Sequence, residues 1–190
     1  MPSAESDWGF ICAGLPELET YLFSEELYWP LEGVNAIGQP WPRLTLGSLL
    51  LTRHRLQVRM TGVHQRVELQ RWDRELETVR FRWRGAWQRK VQREIASRLR
   101  QWEAYLEEVH NDPEKQGGYF PYEVHLRVIV DLLQSELGEE GSFDISRLEN
   151  LDARLKSVFL PGNFIWELDL ESVFPPERFW YLWGKTEATR

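Results

Sequence analysis

Residues 63–110 read VHQRVELQRWDRELETVRFRWRGAWQRKVQREIASRLRQWEAYLEEVH, and this stretch decides the fold. No proline interrupts it, and its apolar residues return in steps of three or four from Trp72 through Trp87 and Trp102 to Val109. Steps of that size place side chains on one face of an α-helix. The stretch therefore predicts a long central helix, from Val63 to His110.

The preceding segment, Leu44–Met60, also predicts a helix, because it is long, apolar and broken only weakly at Gly47. One unbroken helix from Leu44 to His110 would be about 100 Å long at about 1.5 Å per residue. That length does not fit a compact domain of 190 residues. We therefore expect a bend at Gly62 or at Gly85.

Three further helices are predicted from residues that begin or end helices and from the spacing of apolar residues. The first opens at Leu15-Pro16-Glu17, where proline suits the first helical turn. The next covers Tyr119–Leu137 and ends with Gly138 as its C-cap. After a turn at Gly141-Ser142, Asp144 or Ser146 caps the third.

The last thirty residues change character. Residues 164–171 alternate between apolar and polar side chains, which is typical of an extended segment. The aromatic-rich residues 179–183 are apolar on every side, so we expect them to be buried at one end of the fold. Together these patterns predict an all-α, up-and-down helical bundle of four to five principal helices in a single domain, 1–190, with 1–14 and 184–190 less ordered.

Charge is distributed unevenly along the chain. The formal net charge is −7, but residues 53–102 carry fourteen Lys or Arg against five Asp or Glu, while both flanking regions are acidic. One explanation is that acidic helices pack beside the basic one and neutralise it. The other is an electropositive surface for nucleic acid or another polyanion.

Four arginines define the nucleic-acid alternative. Arg82, Arg89, Arg93 and Arg100 follow one another at spacings of seven, four and seven, which places them on one face of a continuous helix. Trp83 and Trp87 lie among these arginines. Their side chains either stack on bases or pack in the core, and the sequence allows both. The sequence leaves open whether this face is exposed or neutralised internally.

A metal-dependent helical-bundle enzyme is a further alternative. Glu107 and His110 have the Glu-x-x-His spacing that puts both side chains on one helix face. A di-iron site needs that pair twice and two more glutamates, and the second pair is missing from the sequence. Convergence with His64 or His125 is what a smaller metal site would require.

No catalytic or cofactor motif stands out elsewhere, so no cofactor is predicted. The single cysteine, Cys12, excludes an intramolecular disulfide, and no apolar run is long enough to span a membrane. We expect a cytoplasmic protein. The leading hypothesis is a non-catalytic helical interaction or assembly protein, with a protein partner or self-association through the long helix, because Trp and Arg are enriched at interaction hot spots.

Overall fold

A computed structural model describes residues 2–35, 38–137 and 143–186, and within them the chain is mostly helical. Two short strands, β1 (Phe159–Phe164) and β2 (Trp183–Thr186), form an antiparallel pair. Short 3₁₀ turns occupy Gly117–Tyr119, Leu168–Val173 and Trp180–Leu182. The helices are α1 (Ala4–Phe23), α2 (Leu46–Arg59), α3 (Val63–Arg82), α4 (Arg84–Asn111), α5 (Pro113–Gln116), α6 (Phe120–Glu123), α7 (His125–Gln134) and α8 (Ile145–Lys156).

The predicted helical class is confirmed, although the fold is not purely α. The strand pair was not predicted, because β1 and β2 are separated by about twenty residues and neither has a strong alternating pattern of its own. The up-and-down order of the helices stays a prediction. The C-cap at Gly138, the turn at Gly141-Ser142 and the last four residues lie outside the described residues.

The first helix begins at Ala4, twelve residues before the predicted start at Pro16, which lies inside α1. Ser3 is its N-cap, and the Ser3 hydroxyl accepts a hydrogen bond from the Ser6 N–H. Acidic residues in the first turn favour the start further because they face the positive end of the helix dipole. The predicted starting point was wrong because this cap outweighs the proline signal.

The predicted central helix is divided at Trp83. Trp83 has a non-helical backbone (φ −117°, ψ 35°), yet its N–H still donates to Val79 and its carbonyl accepts from Trp87. The Trp83 ring packs edge-to-face on Phe23 at the end of α1, with centroids 4.8 Å apart. The chain thus breaks between α2 and α3, where Gly62 is the N-cap, and bends again two residues before Gly85.

The core joins α1, α2, α4 and α7. α2 begins with a capping box in which Thr45 and Ser48 bond each other's backbone, close to the predicted Leu44 boundary. The predicted Tyr119–Leu137 helix is divided into a 3₁₀ turn, α6 and α7 around Pro121. Asp144 caps α8, as predicted. The C-terminal aromatic segment is buried as expected, with Phe179 and Tyr181 at most 2% exposed.

The close approach of α2 to α4 and α7 requires a glycine. A Cβ atom added at Gly47 would lie 2.3 Å from the Ile129 side chain and 2.7 Å from a carboxylate oxygen of Glu94. We expect Gly47→Ala to lower the free energy of unfolding by about 1–3 kcal/mol, because the added methyl overpacks the junction. Urea unfolding measures this, and Gly118→Ala, where a Cβ meets nothing within 4 Å, is the matched control. Equal stability of the two variants would contradict the prediction.

Candidate functional site

The exposed side of α4 carries a row of arginines. Steps of four and seven residues keep Arg89, Arg93 and Arg100 within about 40° of one another around the helix axis, over about 16 Å of its length. All three side chains are exposed. We call these three residues the basic face. Arg82 and Arg84 are also exposed but lie on either side of the bend at Trp83. Arg82 therefore belongs to α3 and does not continue the row of arginines on α4, contrary to the prediction.

Most of these cations have no acidic partner in the part of the chain that the structure describes. Arg93 contacts the Glu25 carboxylate at 3.4 Å and donates to the Glu25 carbonyl at 2.7 Å. Within residues 2–35, 38–137 and 143–186, no carboxylate lies at ion-pair distance from Arg82, Arg84, Arg89 or Arg100. Among the described residues, internal neutralisation therefore reaches Arg93 and neither Arg89 nor Arg100.

The basic face has a defined end along α4. Beyond Arg100, the next charges toward the end of the helix are Glu103 and Glu107, which pair with Arg147 and Arg154 of α8. These pairs offset two of the acidic charges that follow the arginines, while the exposed Glu108 has no cation at ion-pair distance among the described residues. The positive surface of α4 therefore ends where these acidic residues begin.

The two other cations of this segment point inward and have structural roles. Lys90 is buried, lies over the Tyr21 ring at 4.1 Å and donates to Ser24 and to the Glu26 carbonyl, just after α1 ends. Burial lowers the pKa of Lys90 to about 8, and the nearby Arg93 contributes to this lowering. Lys90 thus supports the negative end of α1 and is not available to a ligand on the basic face.

Arg98 is the second inward cation. Its guanidinium donates to Glu94, which is fully buried and also accepts the Gly47 N–H at 2.9 Å. This ion pair joins α4 to the start of α2. The spacing of four residues permits this pair on a helix, but the sequence does not indicate that both side chains are buried.

The tryptophans have different positions. Trp87 is 1% exposed and donates its indole N–H to Glu136, so Trp87 packs in the core and is not available to stack on a base. Trp83 is half-buried, with the Arg82 guanidinium 5.0 Å above its ring and the exposed Phe23 against its edge. Near the bend, Phe81 and Phe23 are 87% and 55% exposed and are therefore more accessible to a base than Trp83.

The candidate metal ligands are not brought together. His64 is exposed at the start of α3 and contacts Glu68 at 3.5 Å. Glu107 faces Arg154, and His125 bonds the Tyr122 carbonyl at the start of α7. In the part of the chain that the structure describes, no three His, Cys, Asp or Glu side chains form a metal-binding group, so His110 and Glu107 do not belong to one.

Sequence reasoning also missed a polar cavity of about 440 Å³ between α2, α3 and α7. Its charges are largely matched: Arg53 bonds Asp73 through two hydrogen bonds, and Arg80 contacts Glu136 at 3.1 Å. Burial raises the pKa of Glu136, while the Arg80 charge opposes that rise. The contributing residues are far apart in the sequence, so no local pattern could have indicated them.

Two histidines couple folding to pH. Burial lowers the pKa of His54 and of His125, although each ring bonds a backbone carbonyl, and nearby arginines lower both further. Because their folded-state pKa lies below the unfolded value of about 6.5, the unfolded chain takes up protons first as pH falls. Stability from these groups is present above about pH 6.5 and is lost below it.

We expect the free energy of unfolding to fall by about 1 kcal/mol between about pH 7.5 and pH 5.5 through these two groups. Urea unfolding of the His54→Gln/His125→Gln double variant should show a correspondingly weaker dependence on pH than the wild type. The exposed His110→Gln change serves as the control and should leave the dependence as it is. Identical pH dependence in all three proteins would show that protonation of His54 and His125 is not linked to unfolding.

No described helix is both long and apolar enough to cross a membrane. Comparison of the chain with protein-family models, with curated proteins and with solved structures finds no match.

Proposed function

We propose that the chain binds nucleic acid through the basic face of α4, by contacts with phosphate groups. The observation that carries this proposal is that Arg89 and Arg100 are exposed on one side of a rigid helix without acidic partners in the described chain. Arg93 lies between them and is held by an exposed glutamate, so its guanidinium remains at the surface. Exposed arginines of this kind suit bidentate contacts with phosphate oxygens.

The dimensions of the basic face suit a phosphate backbone. Successive arginines are about 6 and about 10 Å apart along the helix axis. Duplex DNA carries one negative charge per about 1.7 Å of its axis, so three cations spaced in this way can each meet a phosphate. Arg82 and Arg84 add positive charge near the bend.

The proposal implies weak binding that depends little on base sequence. Phosphate contacts position a protein without reading bases, and Trp87, the most central aromatic residue of the segment, is buried. The net charge of −7 opposes attachment elsewhere on the surface. We therefore expect a Kd of about 10⁻⁴ to 10⁻⁶ M, which is the range of non-specific binding.

Fluorescence anisotropy with a labelled short duplex DNA tests the proposal. For three phosphate contacts, the logarithm of the association constant should fall against the logarithm of salt concentration with a slope of about −3 between about 50 and 200 mM NaCl. Absence of binding at the lowest salt, or binding that does not change with salt, would contradict the proposal.

Self-association through α3 is a second candidate, in keeping with an assembly role. Val63, Val67 and Phe81 are 74%, 53% and 87% exposed. Helical spacing places them on the outward side of α3, because the buried Leu69, Trp72 and Leu76 define the opposite side. Exposed apolar side chains of this size favour a partner surface.

A second copy of the same helix fits this surface. In an antiparallel pair, Val63 would face Phe81 of the second copy, and Arg66 would lie one position from the residue facing it, Glu77 being next to Thr78, so opposite charges would lie close together. Light scattering at increasing protein concentration tests this arrangement, with Phe81→Glu expected to abolish the dimer and Tyr119→Glu as the exposed control. A wild-type protein that stays monomeric at every concentration would eliminate this candidate.

A further inference from the structure

A second, separate cavity of about 290 Å³ lies where α1, α2, α4 and α7 meet. Its charged lining is strongly cationic: Arg43, Arg55 and Arg98, together with His125, face a single carboxylate, Asp7. Arg43 is exposed at the rim, whereas Arg55 and Arg98 are 7% and 8% exposed. The basic face is built from other residues of α4, so the two sites have no side chain in common.

The two buried arginines are fixed by their own acids. Arg55 donates through Nε and Nη2 to the Asp7 carboxylate, at 2.9 and 2.6 Å. Asp7 also contacts Arg59 at 3.3 Å, so its charge is shared between two guanidiniums. Arg98 is held by Glu94, which lies behind it and does not line the cavity. A ligand would therefore meet donors that are already oriented, which lowers the entropy cost of binding.

Arg55 and His125 keep donor capacity for a ligand. Among the described residues, Nη1 of Arg55 has no hydrogen-bond acceptor, while its Nη2 bonds Asp7 and Thr52. His125 bonds the Tyr122 carbonyl through Nδ1 at 2.7 Å, which leaves Nε2 for a ligand; this nitrogen accepts in the neutral ring and donates in the protonated one. Arg98 and Arg55, the nearest cations, disfavour that second proton and lower the pKa of His125 beyond the effect of burial.

The remainder of the lining is partly apolar. Phe10, Leu51 and Ile129 form apolar wall, and the hydroxyl-bearing Tyr28 and Thr52 line the same space. A volume of about 290 Å³ is at the lower end of what ligand pockets offer, so it fits a small molecule and excludes a nucleotide chain.

From this arrangement we propose that the cavity binds a small organic anion, in which one carboxylate, sulfonate or phosphate group is joined to a short apolar or aromatic body. The anionic group would meet Arg43, Arg55 and His125, and the apolar body would pack on Phe10 and Ile129. This site is independent of nucleic-acid binding on the basic face.

Isothermal titration with benzenesulfonate tests the proposal, because the charge of that probe does not change near neutral pH. An anion favours the protonated His125, so binding should be at least about threefold tighter at about pH 6 than at about pH 8 and should take up a proton. The charged groups that line the cavity with His125 are Arg55 on α2, Arg98 on α4, Asp7 on α1 and the rim residue Arg43, and the Tyr122 ring lies 5.4 Å from the His125 ring. We assign the proton to His125, and the His125→Gln variant tests that assignment.

Variants identify the site without disturbing the buried ion pairs. Arg43→Gln at the exposed rim should weaken benzenesulfonate binding about fivefold or more, and His125→Gln should remove the pH dependence. Arg89→Gln on the basic face is the matched control and should leave the affinity unchanged. Neutral benzyl alcohol should bind at least about tenfold more weakly than benzenesulfonate.

Three results would overturn the proposal. The first is that benzenesulfonate at millimolar concentration gives no heat of binding. The second is that Arg43→Gln and His125→Gln both bind benzenesulfonate as tightly as the wild type. The third is that Arg89→Gln loses as much affinity as Arg43→Gln. The last result would place the anion on the basic face. It would leave the nucleic-acid proposal standing, so the two proposals fail separately.

Discussion

The Glu94→Gln variant is expected to unfold with a free energy about 3 kcal/mol lower than that of the wild type. Glu94 has no exposed surface, and its carboxylate is the counter-charge of the buried Arg98. Glutamine keeps the shape of the side chain and can still accept the Gly47 N–H, but it leaves the guanidinium buried without an opposite charge. The cost therefore comes from the uncompensated charge and not from a cavity.

Removing both charges at once separates these two causes. The Glu94→Gln/Arg98→Met variant removes both charges, so it should recover most of the lost stability in urea unfolding. We expect the double variant to be within about 1.5 kcal/mol of the wild type. If the double variant is as unstable as the single one, the ion pair is not the source of the effect.

The Arg89→Ala/Arg100→Ala variant is expected to bind duplex DNA about 100-fold more weakly than the wild type at about 50 mM salt. Removing one arginine that meets a phosphate weakens binding about tenfold at that salt concentration, because one fewer counterion is released. The salt slope should also become shallower by about 2. Both side chains are exposed, so the fold should be unaffected.

The matched control removes the same charge elsewhere. Arg66 and Arg74 are exposed on α3, so Arg66→Ala/Arg74→Ala changes the net charge equally without touching the basic face. Anisotropy titrations of the three proteins with one duplex give the comparison. If both double variants lose the same affinity, binding follows total charge and the basic face has no particular role.

Helix positions were predictable where the signal is local. The apolar steps around Trp72, Trp87 and Trp102 repeat with the helical period, and the cap at Asp144 acts within one turn. The bend lies instead at Trp83, whose ring packs against Phe23, sixty residues earlier. No property of the sequence around Trp83 indicates that contact. The sequence predicts the bend at a glycine, Gly62 or Gly85, because glycine interrupts helices more often than tryptophan does.

The basic face was partly predictable. The spacing of Arg89, Arg93 and Arg100 follows from the sequence, but which of them has an acidic partner depends on the residues beside them in the fold, as Glu25 lies beside Arg93. Lys90 shows the limit of composition, since it is a basic residue of the same segment and yet is buried under the end of α1. Composition therefore identified the segment, and three-dimensional packing decided which cations reach the surface.

The cationic cavity could not be predicted at all. Arg43, Arg55, Arg98 and His125 come from four separate segments and have no common spacing. The sequence indicates His125 only as a candidate metal ligand, and the described structure brings no second ligand to it. Side chains from distant segments become a site only through the packing of the helices that hold them.

The most direct test of the central claim is photo-crosslinking to a labelled duplex from single positions on the two long helices. A photoreactive residue at Gln92, exposed on α4 next to Arg89 and Arg93, should crosslink to DNA at low salt and lose the crosslink as salt rises. The same residue at the exposed Gln70 of α3 should give little crosslink. Crosslinking from Gln70 with none from Gln92 would contradict the assignment of nucleic-acid binding to the basic face of α4.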